Sequence, residues 1–181
     1  MPFVEAILQG VLLGGLYALF AAGLSLIFGV MRLVNIAHGD LIVLAAYVAY
    51  VVVGLTGLHP LLSLLLVIPV MAVFGYVMQV GLLNRTMGDD ILPPLLVTFG
   101  ISIIIQNGLL TGFSADSLRL PAGNIETQSV QLAGMHLGVL PIFTFVVAFA
   151  LIVALEWLFS RTRIGRAFRA TSDDPEMAAT I

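Results

Sequence analysis

Two groups of polar residues interrupt an otherwise apolar chain, and their types set what chemistry is available. The first is Asn35, His38, Gly39 and Asp40, inside the run Met-Arg-Leu-Val-Asn-Ile-Ala-His-Gly-Asp at 31–40. The second is Thr98, Ser102 and Gln106, followed by Asn107. Thr98, Ser102 and Gln106 recur every four residues, which places them on one face of a helix. Such a face either hydrogen-bonds a neighbouring helix or lines an aqueous cavity. Hydrolytic chemistry is disfavoured. Ser102 lies in Gly-Ile-Ser-Ile-Ile and lacks the Gly-x-Ser-x-Gly elbow, and none of the three histidines shows a Ser or Asp pairing in sequence. Cysteine is absent, which removes thiolate nucleophiles, disulfides and Cys-type zinc sites together. Lysine is absent too, all seven basic residues being arginine, so no Walker A phosphate loop is present in these residues.

The elements that hold these groups are membrane spans. Apolar runs extend over approximately 6–30, 41–58, 61–83, 91–113 and 137–159. Each supplies about the 20 residues that a helix needs to cross a hydrocarbon core roughly 30 Å thick. Composition agrees: 60% of residues are hydrophobic and 9% charged, with a mean hydropathy of +1.13. A soluble domain carries about 25% charged residues. The expected fold is all-α, a polytopic transmembrane helix bundle of about five spans, because backbone groups in lipid must be satisfied within the segment. There is no basic stripe for nucleic acid.

Charge placement sets an expected orientation. Arg32, Arg85, Arg161, Arg163, Arg166 and Arg169 fall on one side of this topology and Arg119 on the other. Positive residues in short loops favour the cytoplasm. The N-terminus is therefore expected outside and residues 160–181 inside, with 114–136 an external, polar, turn-rich loop. Trp157 suits an interfacial anchor at the inner end of the last span. A signal peptide at 1–30 is disfavoured, since no basic region precedes the apolar run.

The interruption at 31–40 has two readings. One is a short cytoplasmic turn, with Asp40 starting the next helix as an N-cap or first-turn acid. The other is a discontinuous helix whose exposed backbone N–H groups and polar side chains line a substrate path. Gly10-x-x-x-Gly14 offers a small-xxx-small spacing for close helix approach, and Pro69 within the third run predicts a kink. Beyond the fifth run, Thr171-Ser172-Asp173-Asp174-Pro175-Glu176 is a strong helix-start signal, with cap acids and a first-turn proline. The sequence stops inside that helix, and the expectation is that it is a portion of a longer protein.

Several of these segments together resemble the permeases of ABC transporters for branched-chain amino acids, over nearly all of 6–181. The resemblance is carried by Gly14-Gly15-Leu16-Tyr17-Ala18-Leu19, by Phe28 to Asp40, by Ile105-Gln106-Asn107, and by Gly165-Arg166-Ala167-Phe168-Arg169-Ala170 with Asp174-Pro175-Glu176. It implies an inner-membrane subunit moving leucine, isoleucine, valine or related amino acids. It also implies a second related permease, two cytoplasmic ATPase subunits that hold the ATP, and a periplasmic substrate-binding protein. No cofactor or metal is expected in this chain itself, and no enzymatic activity. Arg166, Arg169, Asp173, Asp174, Pro175, Glu176 and Ala178 match the cytoplasmic segment whose short helix couples to the ATPase. The path candidates are Asn35, His38, Gly39, Asp40, Thr98, Ser102, Gln106 and Asn107. Related importers of urea or short amides share these motifs. A channel or carrier that needs no ATPase is the more distant alternative.

Overall fold

The computed structural model describes residues 2–31, 33–86, 88, 90–116, 118–120, 129–132, 135–162 and 165. Five helices account for most of them: α1 Pro2–Met31, α2 His38–Thr56, α3 Pro60–Gly81, α4 Leu92–Phe113 and α5 Val139–Arg161. All five are long and apolar enough to cross a membrane. Most of their circumference is apolar, as in membrane-spanning helices, and α4 carries one polar face of Thr98, Ser102 and Gln106. α1 has 30 residues, about 45 Å at 1.5 Å per residue, and so begins four residues before the apolar run read from the sequence.

The chain divides into two compact units. The first contains α1, α5 and a two-stranded antiparallel hairpin, β1 Ser129–Leu132 and β2 Met135–Gly138. Its register pairs Ser129 with Gly138 and Leu132 with Met135. The sequence pattern predicts a turn-rich loop here and no strand; the hairpin occupies the last part of that loop and leads directly into α5. α1 and α5 run parallel. Leu12 and Leu16 share a cavity wall with Pro141 and Thr144, and Ser25 and Leu26 share another with Leu155 and Glu156. At the first of these levels the Phe145 ring lies where a side chain on Gly15 would have to go. Gly10 and Gly14, the pair that the spacing rule selects, face open space instead.

The second unit contains the segment 33–37 and α2, α3 and α4, with a short 3₁₀ turn Leu83–Arg85 after α3. Sequence signals set the ends of its helices. Gly57 closes α2 in the left-handed conformation at φ 66°. His59 caps α3, its Nδ1 accepting from the Leu61 N–H at 3.3 Å, with Pro60 in the first turn, where its missing N–H costs nothing. Pro69 lies inside α3. α2 packs against both α3 and α4.

A carboxylate anchors the second helix to the middle of the fourth

The segment between α1 and α2 is irregular at 33–35 and turns at 36–37, where Ala37 is already in the helical region at φ −72° and ψ 0°. Leu33, Asn35 and Ala37 are buried, whereas Val34 and Ile36 are each 40% exposed. The buried Asn35 folds back on its own backbone: its Oδ1 accepts from the Ala37 N–H at 3.0 Å, and its carbonyl accepts from the His38 N–H at 3.2 Å. This is an Asx-type turn, and it starts α2. Ala37 occupies the N-cap and makes no side-chain cap bond. Asp40 is thus a first-turn acid and not the N-cap, well placed against the positive end of the helix dipole.

The two polar groups of the sequence meet here. Thr98 is fully buried; its Oγ1 accepts from the Ile36 N–H at 3.2 Å and donates to the Leu95 carbonyl at 3.0 Å. One turn on, Ser102 Oγ donates to Asp40 Oδ2 at 2.5 Å. A further turn on, Gln106 Nε2 donates to Asp40 Oδ1 at 3.1 Å and to Ser102 Oγ at 3.2 Å. The stripe on α4 therefore reads one backbone amide of the α1–α2 link and one carboxylate in the first turn of α2, and both of the donors to Asp40 described here are neutral. Thr98 and Ser102 are buried, Asp40 is half-buried, and Gln106 is exposed, so the cluster is open on one side.

Its position along α4 matters. Ser102 lies about 15 Å along a helix about 33 Å long. α2 accordingly begins beside the midpoint of α4 and not beside its end. Beyond the cluster the two helices run parallel, bringing the rings of Tyr47 and Phe113 to a centroid distance of 4.7 Å. Tyr47 and Tyr50 then help line a cavity of about 110 Å³ with Leu118 and Leu120. Nothing in the polar pattern of the sequence singles out these tyrosines. The seven-residue step from Asp40 to Tyr47 on one helical face was the available signal.

The other sequence candidates separate. His38 and Gly39 lie in the first turn of α2, outside the hydrogen bonds to α4 just described. Asn107 is exposed and donates from Nδ2 to the Ile103 carbonyl of its own helix at 2.8 Å, away from the cluster. The ATPase-coupling candidates Arg166, Arg169, Asp173, Asp174, Pro175, Glu176 and Ala178 lie outside the described residues. At the break between α1 and α2, the N–H groups of Ile36, Ala37 and His38 are bonded within the chain.

Comparison with known proteins gives the family of the chain. The chain is 28% identical over 186 residues to the high-affinity branched-chain amino acid transport system permease protein BraD of Pseudomonas aeruginosa, covering 97% of this chain and 61% of that protein. It is 26% identical over 197 residues to the permease protein LivH of Escherichia coli K12, covering 99% of this chain and 62% of LivH. A probable branched-chain amino acid transport permease of Methanocaldococcus jannaschii is 30% identical over 187 residues, covering 98% of this chain and 58% of the relative. The chain thus spans about three-fifths of the length of these relatives. No solved structure matches it. Residues 6–181 match the family described as branched-chain amino acid transport system / permease component, and the chain belongs to that family.

Proposed function

We propose that the chain is a membrane-spanning permease subunit of an ABC importer that moves branched-chain or related amino acids across the bacterial inner membrane. Two ATPase subunits supply the energy, a second related permease completes the path, and a periplasmic binding protein delivers the substrate. The residue run 165–178 faces the cytoplasm and transmits ATPase closure to the helices, which then alternate in access. The substrate path passes the Asp40–Ser102–Gln106 cluster.

The observation that carries this reading is the depth of the cluster. A carboxylate that hydrogen-bonds the middle of a spanning helix sits about 15 Å from either end of it. Ionisable residues at that depth are costly against lipid, and they face a bundle interior or a water-filled cavity. A turn at the cytoplasmic surface would place Asp40 beside an end of α4. The family supplies the substrate class, and the cluster supplies a polar station within the bilayer for it.

The test uses the intact transporter in proteoliposomes, with its ATPase partners and binding protein. L-Leucine uptake is expected to require ATP. Asp40→Ala is expected to lower it at least about tenfold, the loss of hydrogen bonds to one charged group at about 1.5–3 kcal/mol. Replacing Asp174 and Glu176 is expected to lower uptake while leaving membrane insertion intact. Uptake without ATPase subunits would overturn the importer reading.

A further inference from the structure

We infer that the Asp40–Ser102–Gln106 cluster receives the ammonium end of its substrate. This rests on the proposal that the substrate path passes the cluster. A zwitterion entering a bilayer must exchange hydration at both charges, and the structure distinguishes which charge this station can serve. Half-helix starts within membranes commonly present backbone N–H groups to anions. At this junction three amides are already bonded within the chain. The Ile36 amide is taken by Thr98 Oγ1, the Ala37 amide by Asn35 Oδ1 and the His38 amide by the Asn35 carbonyl.

What stays open is acceptor capacity. An ionised carboxylate offers about four lone-pair sites, and Asp40 receives one bond at each oxygen, from Ser102 and from Gln106. The Gln106 amide turns its nitrogen to Asp40 and Ser102, which leaves its Oε1 as a further acceptor. Both donors are neutral, so they orient the carboxylate without cancelling its charge. Ser102 is buried behind Asp40, and the exposed Gln106 marks the accessible side. An ammonium group carries three N–H donors and no acceptor, which is the complement of this set. A carboxylate ligand would meet like charge, and a neutral amide would donate to the carboxylate without the attraction of an opposite charge.

The experiment measures displacement of tritiated L-leucine from the intact transporter in nanodiscs, without the binding protein. The two competitors are 3-methylbutylamine, which keeps the amine and the branched chain, and 4-methylpentanoate, which keeps the carboxylate. The amine is expected to displace leucine at a concentration at least tenfold lower than the acid. In Asp40→Asn that preference is expected to vanish, while Asn107→Ala retains it. Equal displacement by acid and amine in the wild type overturns the inference without recourse to any variant, as does an absence of leucine binding or an amine preference that survives Asp40→Asn. Gln106→Cys separates this failure from failure of the path itself. Reaction with a membrane-impermeant thiol reagent, slowed by leucine, together with no amine preference, leaves the path standing and sinks only the ammonium assignment. No reaction from either side of the membrane sinks the path, and the inference with it.

Discussion

The two units of the molecule hold their helices together by different means. In the unit of α1 and α5 the contact is shape: Gly15 leaves a notch and the Phe145 ring fills it. In the unit of α2, α3 and α4 the contact that fixes register is polar, with Thr98, Ser102 and Gln106 reaching the α1–α2 link at successive turns. Lipid removes the hydrophobic drive for helix association, so steric fit and interhelical hydrogen bonds remain as the available forces. Fit is sufficient where helices only need to stay together. A polar ladder costs more to bury and fixes angle and height, which suits a place where a charged group must stand at one depth.

That contrast is open to direct attack. The largest effect is expected from filling the notch: Gly15→Leu should lower thermal stability in detergent by about 1–3 kcal/mol through overpacking. Phe145→Ala in the same chain should restore part of the loss. Gly10→Ala and Gly14→Ala should stay within about 0.5 kcal/mol of wild type, since neither position meets a neighbour within 4 Å. If all three glycine variants fell alike, shape would not be what joins α1 to α5.

In the polar unit, Thr98→Val keeps the volume and removes the acceptor for the Ile36 N–H. A cost of about 1 kcal/mol is expected, at the lower end for an orphaned donor because that bond is only partly buried. Faster hydrogen exchange at Ile36 than in wild type is the accompanying readout. Asn107→Ala should be the smallest change, within about 0.5 kcal/mol and without effect on uptake, because its amide serves only its own helix. A large loss of uptake there would extend the functional surface of α4 beyond the Thr98–Gln106 face.

The sequence exposed much of this and hid a specific remainder. Five spans were legible because a run of about 20 apolar residues is long enough to cross lipid and too greasy to be covered in water. The Thr98, Ser102 and Gln106 face was legible from its four-residue spacing. That it meets Asp40 was not, because a polar face on α4 does not say which neighbouring helix it packs on. The Gly10 and Gly14 pair satisfied a spacing rule that counts residues and knows nothing of the partner, whereas the close contact uses Gly15, selected by where an aromatic ring on α5 falls. The hairpin at 129–138 escaped because two four-residue strands give too little alternation to stand out from a polar loop.

The short link at 33–37 has one more consequence. Surface loops usually tolerate a residue gained or lost, but this link is pinned at successive residues, by Asn35 to the Ala37 N–H and by the Ile36 N–H to Thr98. Removing any single residue from Asn35 to Ala37 would undo the turn that starts α2 or its bond to α4, and with it the height at which Asp40 meets Ser102. The link therefore acts as a ruler with one permitted length, and variation during evolution is expected as exchange of residue types there, with insertions and deletions confined to other joins.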